Sequence, residues 1–536
     1  MHAAEKRLDF TVPRLGDGGI PSPMSGVRFT RDDERMIYDT RLDAVMEQIH
    51  AGAPVPAMEM AGPRERLYFN PEGLACGIVT CGGLCPGMND VIRAIVLSLY
   101  HHYGVRTVYG FRYGYEGLVR PFKHEPEMLT PGSVERIHEF GGTILGTSRG
   151  PQDAAEMVAT LKELGISILF AVGGDGTLKG ARLIAETALR QGLRISVIGI
   201  PKTIDNDISF LQKTFGFETA VAEAQRATAA ANIEAEAAVN GIGLVKLMGR
   251  DSGFIAAFTV LVSSKVNFCL VPEVPFGMRR FLQVLEERLT NRGHALIVVA
   301  EGAGQEHLDR VGGSDASGNV RHGDIGLFLR DAITGHFKAA GKAVTLKYID
   351  PSYSIRSVPA NPHDSAFCLL LGQCAVHAGM AGRTNMVVGF WNHRFTHVPI
   401  SLAAVFVLPH LAPEGAPILP LLFDISFSLD LLAGLTAITR TRSIIVAGVL
   451  FVCLALAGRW INRGVPAADL IVFNLAISMI STLVLALLVI VQVFREGPIT
   501  MHRVLGAVGV YLLLGLAWSF AYHLIDVVNP DAFAIS

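Results

Sequence analysis

The chain has 536 residues, and its 46 Lys and Arg against 48 Asp and Glu give a formal net charge of -2. That near balance excludes a general nucleic-acid binder, which needs a basic face, and the length exceeds one ordinary domain. A mean hydropathy of +0.39 with 18% charged residues is too apolar for a plain soluble enzyme, and the excess lies beyond residue 400. Residues 1–66 carry turn formers (Gly16, Gly18, Gly19, Pro21, Pro23) and one charged stretch, 31–50, that reads as helix. They are expected to wrap on a neighbouring domain as an N-terminal extension. The opening MHAAEKRLDF has no apolar h-region, so no secretory signal is expected, and residues 67–400 are placed in the cytosol.

From residue 67 the pattern alternates. Residues 75–80 form an apolar run that ends in a glycine turn, and 90–100 follow with apolar side chains at helical spacing. The unit recurs as 167–172, a turn at 173–177 and a helical run over 180–191; 195–200, 241–247 and 295–300 are further strands. Strands alternating with helices predict α/β lobes built on parallel sheets, with ligands beyond the carboxyl ends of the strands. Seven scattered cysteines, three of them Cys76, Cys81 and Cys85, fit no common zinc spacing and read as reduced cytosolic thiols. His393 and His397 have helical i,i+4 spacing and His101 and His102 are adjacent, but neither pair brings a carboxylate or cysteine set, so no metal site is assigned there.

Beyond residue 400 charges thin out. The run 402–411 is too short to span a bilayer, 418–438 carries Asp424 and Asp430, and 443–457, 470–494 and 504–525 are the cleanest candidates for spans of about 17–25 residues. Residues 401–536 are therefore expected to form an all-α hydrophobic membrane segment of three or four transmembrane helices. The arginines fall on alternate loops, so their count does not orient it.

Three polar motifs sit at predicted strand ends. Thr80-Cys81-Gly82-Gly83-Leu84-Cys85-Pro86-Gly87 would let backbone N–H groups approach an anion, although a tight structural turn accounts for the glycines equally well. Gly173-Gly174-Asp175-Gly176-Thr177 places one carboxylate in a phosphate-sized loop, enough for Mg²⁺, which keeps most of its waters. Sugar, NAD and lipid kinases all use a similar run. Pro201-Lys202-Thr203-Ile204-Asp205-Asn206-Asp207-Ile208 is more specific. Its two carboxylates, two apart, share a face if the segment is extended, so one can take a proton from a hydroxyl while the other orients it.

With Met248-Gly249-Arg250-Asp251-Ser252-Gly253, Pro272-Glu273-Val274-Pro275-Phe276, Ala300-Glu301-Gly302-Ala303-Gly304-Gln305 and Tyr348-Ile349-Asp350-Pro351-Ser352-Tyr353-Ser354-Ile355-Arg356, residues 67–400 resemble the 6-phosphofructokinase family. The closest likeness is to its atypical ATP-dependent branch of plants and many bacteria. The resemblance implies two parallel-sheet α/β lobes with the active site between them, and a homo-oligomer that uses Mg-ATP and fructose 6-phosphate. It places Gly83, Arg149, Gly150, Gly174, Asp175, Gly176, Thr177 and Lys202 on ATP, with Asp175 on Mg²⁺. Asp205 becomes the general base on the sugar 1-hydroxyl, with Arg149, Thr203 and Asp207 also catalytic. Thr203, Ile204, Asp205, Met248, Gly249, Arg250, Glu301, Tyr353, Ser354, Ile355 and Arg356 would bind fructose 6-phosphate. In this family Gly at 176 goes with ATP and a second Asp there with pyrophosphate, whereas Lys202 is usual in pyrophosphate users; the atypical branch combines this Gly and this Lys. A pyrophosphate-dependent enzyme, a lipid- or NAD-type kinase and a sugar-phosphate-sensing membrane protein are the rival readings. The last stretch, 503–536, resembles the membrane part of small bacterial two-pore-helix potassium channels without any filter sequence. It reads either as a natural tether or as two truncated reading frames joined.

Overall fold

The strands that periodicity predicts form where the apolar runs lie. A computed structural model describes residues 8–308 and 321–403. In chain order the first elements are β1 (Ile20–Pro21), β2 (Arg35–Ile37), α1 (Leu42–His50), β3 (Ala57–Met60), β4 (Arg66–Leu67), β5 (Ala75–Thr80), α2 (Met88–Ser98), β6 (Thr107–Phe111) and β7 (Glu127–Met128). Next come α3 (Ala154–Glu163), β8 (Ile166–Gly173), α4 (Asp175–Arg190), β9 (Ser196–Pro201), α5 (Phe217–Glu236), β10 (Gly241–Leu247), α6 (Phe254–Val262) and β11 (Phe268–Leu270). The remainder are α7 (Met278–Arg292), β12 (His294–Ala300), α8 (Ile325–Ala339), β13 (Thr345–Ile349), α9 (Ser352–Ser357), α10 (Pro362–Met380), β14 (Met386–Trp391), β15 (Arg394–Pro399) and α11 (Ile400–Ala403).

Nine strands make one sheet in the order β2-β3-β15-β14-β9-β8-β5-β6-β7, and four make a second in the order β11-β12-β10-β13. Successive residues of the central strands face opposite ways. Ile168, Phe170 and Val172 of β8 meet Val91, Ile92 and Ile95 of α2 and Leu371 and Ala375 of α10. Leu169 and Ala171 meet Val158 and Leu161 of α3 and Leu178 and Ile184 of α4. Helix α5 packs on β10, β12 and β13 of the second sheet and also touches α10, so it joins the two sheets.

The expectation of parallel sheets holds for the second sheet and for the centre of the first, β14-β9-β8-β5-β6. The margins of the first are antiparallel, so that sheet is mixed. The cause is local. Asn392 and His393, at φ 46° and 60°, form the left-handed two-residue turn that the twist of a tight hairpin favours, and two residues leave no room for a crossover helix. His393 and His397 therefore sit on a hairpin, not on a helix face, with His397 Nδ1 buried 3.3 Å from Glu59.

The charged stretch 31–50 is helical only over Leu42–His50; Arg35–Ile37 is strand. The extension is stitched into the large sheet through β2 and β3, and β3 buries Met58 and Glu59. Glu59 lies 3.0 Å from Arg64, 2.8 Å from Arg383 and 3.3 Å from Arg14. Burial pushes its carboxyl up, but His397, Arg383 and Arg64 outweigh that and hold it far below the usual range. Such a charge, once buried, tolerates no loss of its partners.

At the other end Ile400 and Ala403 are buried, and α11 packs on α4, β14 and β15. The core thus continues a few residues past the expected edge at 400. Among the described residues no helix is long and apolar enough to cross a membrane. The candidate spans and the channel-like stretch lie outside the described residues, apart from 402 and 403. Deleting everything after residue 408 is expected to leave the denaturation midpoint of this domain unchanged. Deleting everything after 399 should lower its stability by about 2 kcal/mol, the transfer value of one buried Ile, read by urea unfolding followed by tryptophan fluorescence.

Candidate active site

The sequence motifs follow the carboxyl ends of strands in both sheets, at one edge of each. The turn after β5 begins as Cys81 N–H donates to Val172 O (2.9 Å), which ties it to β8. Gly82 has φ +83°, and a Cβ there would lie 3.3 Å from Lys202 Nζ. A Cβ on Gly83 would lie 3.4 Å from Arg149 Nη2 and 3.5 Å from Arg356 Nη1. Lys202 Nζ donates to Gly83 O at 2.8 Å. Three cations from three loops therefore surround one glycine pair, as phosphate chemistry requires.

Beside it β8 runs into α4. The helix starts at Asp175, five residues earlier than expected, so the glycine motif itself supplies the first turn, whose N–H groups no side chain caps. Lys202 N–H donates to Gly173 O (3.0 Å), which holds the next loop against this turn. Thr177 is buried against Gly173, where any Cβ would strike its Oγ1. A Cβ at Gly176, by contrast, meets nothing within 4 Å. Asp175 pairs through Oδ2 with Lys179 at 2.7 Å, while its Oδ1 is shielded and has no hydrogen-bond partner. An uncommitted carboxylate oxygen at a helix N-terminus fits a hard, largely hydrated cation such as Mg²⁺.

After β9 the chain does not stay extended, contrary to expectation. Asn206 takes a left-handed turn (φ 56°), so Asp205 and Asp207 part company. Asp205 is buried and Asp207 exposed. Thr203 Oγ1 accepts from Asp205 N–H (3.1 Å) and donates to Asp207 Oδ1 (2.8 Å). Asp205 Oδ1 has no partner. Burial first, then the charge of Asp207, pushes the Asp205 carboxyl up to about 7, against the pull of Arg250 and Lys202. Lys202 is itself buried, and burial lowers its pKa. Ile204 is buried beside them.

The second sheet supplies the facing loops. Arg250 sits in a left-handed turn (φ 50°), and Glu301 Oε1 accepts from Gly249 N–H (3.3 Å) and Arg250 N–H (2.9 Å). Met248 is buried beneath. Ser252 Oγ lies 3.0 Å from Gly249 O in its own loop and 3.4 Å from Asp205 O, its one hydrogen shared between them, and the longer contact links loops of the two sheets. In α9 the Arg356 guanidinium lies 5.1 Å from the Tyr353 ring, and Tyr353 is 80% exposed. Ser354 Oγ is turned back to Pro351 O (2.9 Å) and Ile355 is buried, so neither side chain faces this opening. Arg149 is exposed and Gly150 has φ +103°.

A family model for phosphofructokinase matches residues 75–379. The chain belongs to the phosphofructokinase family. It is 53% identical over 359 residues to the ATP-dependent 6-phosphofructokinase of Borreliella burgdorferi, covering 65% of this chain and 80% of that one. It is 46% identical over 412 residues to that of Amycolatopsis methanolica, covering 74% and 90%, and 48% identical over 345 residues to ATP-dependent 6-phosphofructokinase 7 of Arabidopsis thaliana, covering 63% and 70%. The pyrophosphate-dependent phosphofructokinase structure from Marinobacter aquaeolei aligns with TM-score 0.53 at 20% identity, over 62% of this chain and 84% of that one. At that identity it shows the fold alone.

Four residues of this phosphofructokinase site were not singled out from sequence. Gly82 borders the Lys202 ammonium. Ser252 ties the two sheets, and Glu273 Oε1 accepts from Gly253 N–H (2.8 Å). A Cβ on Gly302 would lie 1.9 Å from Arg250 O, so only glycine fits there. Their signal was membership of the quoted motifs; which backbone group each one meets is set by the contact between sheets.

Because the folded chain favours protonated Asp205, the stability this group contributes is full below the unfolded value near 4 and is lost as pH rises through about 7. Asp205→Asn should flatten that slope in unfolding measurements between pH 4 and 8. Read as a general base, Asp205 must be ionised to act, so kcat/KM should fall on acidification with an apparent pKa near 7; an acid limb that stays near 4 would contradict this reading.

Proposed function

We propose that this chain is an ATP-dependent 6-phosphofructokinase, moving the γ-phosphoryl of Mg-ATP to the 1-hydroxyl of fructose 6-phosphate, and that Asp205 is its base. The observation that carries the reading is the Asp205 carboxylate. It is dry, raised toward neutrality and unpaired at Oδ1, and it shares its loop with Lys202, which reaches the Gly83 turn between Arg149 and Arg356. The names of relatives at 46–53% identity support the same donor and acceptor.

In this reading the Gly82-Gly83 turn and the first turn of α4, with Gly174, Gly176 and Thr177, cradle the nucleotide phosphates. Lys202 keeps the first of these turns in place, and Arg149 and Gly150 close over it. Asp175 would hold Mg²⁺, which supplies neutralisation of phosphate charge. Arg250, Tyr353 and Arg356 take the sugar phosphate, with Glu301 fixing the Met248-Gly249-Arg250 turn and accepting from sugar hydroxyls. Asp205 Oδ1 then removes the proton of the attacking hydroxyl; Thr203 and Asp207 set its position and basicity. Phosphoryl transfer relies on such alignment and charge neutralisation more than on covalent help.

The pyrophosphate reading rests on Lys202, and the open space at Gly176 favours the bulkier nucleotide. The exposed apolar side chains of α6, Phe254, Phe258, Leu261 and Val262, support a homo-oligomer. The apolar runs of residues 401–536 support membrane tethering of an otherwise cytoplasmic catalytic domain.

Asp205→Asn should bind fructose 6-phosphate normally and lose roughly 10²–10⁴-fold in kcat, the usual general-base contribution. A kcat near that of the parent would remove Asp205 from the mechanism. Gly176→Asp should raise the KM for ATP through bulk and through charge beside Asp175; an unchanged KM would place the nucleotide elsewhere.

A further inference from the structure

Lys246 is the one position of β10 that is not fully buried, yet its side chain is only 12% exposed. An ammonium taken that far out of water must be paired to stay charged. It is paired twice. Nζ lies 2.8 Å from Asp350 Oδ2 and 3.0 Å from Asp324 Oδ2, and these hydrogen-bonded carboxylates raise its pKa further against burial.

Each partner is committed to a turn. Asp324 caps α8, its Oδ1 accepting from Leu327 N–H at 3.1 Å. Asp350 directly follows β13, and its Oδ1 accepts from Ser352 N–H (3.1 Å) and Ser352 Oγ (2.5 Å), which shapes the turn into α9. Helix α9 is six residues long and carries Tyr353 and Arg356. Four residues after Lys246, with only Leu247, Met248 and Gly249 between, the same strand delivers Arg250. One ammonium therefore sets the spacing between the two loops that present Arg250 and Arg356.

We infer that Lys246 is a positioning residue for sugar-phosphate recognition: it holds the Asp350 turn, and through it Tyr353 and Arg356, in register with Arg250. The inference rests on the reading of Arg250 and Arg356 as the sugar-phosphate site. Without Lys246 two carboxylates face each other unneutralised, and their repulsion moves the Asp350 turn that carries α9. The α4 turn stands at the end of β8 in the other sheet, so the larger effect falls on the sugar phosphate, with a smaller one on ATP through Arg356, which also borders the Gly83 turn.

The test is steady-state kinetics of the full chain in four variants: Lys246→Met, Asp350→Asn, Lys246→Arg and, as a benchmark, Arg356→Ala. Lys246→Met and Asp350→Asn should each raise the KM for fructose 6-phosphate by about tenfold with kcat nearly unchanged and the KM for ATP changed far less, the signature of lost ground-state and transition-state binding alike. Lys246→Arg should restore most of the affinity, and the Met/Asn double variant should fall well short of the product of the single effects, since both break one pair. A general loss of fold would instead lower kcat and disturb both KM values. If Arg356→Ala raises the KM for fructose 6-phosphate while Lys246→Met and Asp350→Asn leave it unchanged, the positioning role is overturned. If Arg356→Ala itself leaves it unchanged, the sugar-phosphate site lies elsewhere and the inference falls with it. Should Lys246→Met fail to fold, Asp350→Asn, nearly isosteric, carries the same comparison.

Discussion

In a parallel sheet every strand hands its loop to the same edge, and the register of the backbone bonds decides which loops meet. That constraint governs this molecule. Val172 O and Gly173 O of β8 accept from Cys81 N–H on one side and Lys202 N–H on the other, and Leu247 O of β10 accepts from Glu301 N–H. Three loops of one sheet and two loops of the other are fixed by backbone before any side chain acts. The glycines at 82, 173 and 302 follow from how closely those loops approach. Ser252 and α5 then hold the two edges to each other.

On that scaffold one carboxylate, Asp205, is kept dry. Asp205 is costly to bury in its charged form, and the fold tolerates it because Lys202 and Arg250 offset part of the penalty that burial and Asp207 impose. The result is a carboxyl poised close to neutral pH, with an oxygen that no protein donor occupies. A site that satisfied this oxygen internally would be more stable and would have nothing to offer a substrate hydroxyl. The thiols nearby are different. Burial pushes Cys81 up to about 12 and raises Cys85 as well, so they are packing groups, not nucleophiles.

Much of this was legible in the sequence because apolar runs and glycine turns are local. The strand runs at 75–80 and 241–247 match β5 and β10 residue for residue, and the motifs at 173–177, 201–208 and 248–253 fall at strand ends as expected. What was hidden depends on which partner each side chain and turn meets in the folded chain. The left-handed turn at Asn206, which buries one Asp and exposes the other, is set by Thr214, whose N–H and Oγ donate to Asn206 Oδ1 at 2.8 and 3.2 Å. The antiparallel margin of the large sheet follows from a two-residue hairpin, and the place of Glu59 in the core follows from arginines at positions 14, 64 and 383. Lys246 gave no signal, because a lysine late in a strand normally reads as a solvated end. The long apolar runs beyond residue 403 were read from composition, and they lie outside the described residues.

The central claim is that this site passes a phosphoryl group from ATP to a sugar-phosphate hydroxyl. The most direct measurement is ³¹P NMR of the purified full chain with fructose 6-phosphate and Mg²⁺, supplied in parallel with ATP or with pyrophosphate at equal concentration. Fructose 1,6-bisphosphate and ADP should accumulate together in the ATP sample, faster than any bisphosphate in the other. Faster turnover with pyrophosphate, or no bisphosphate from either donor, would contradict it.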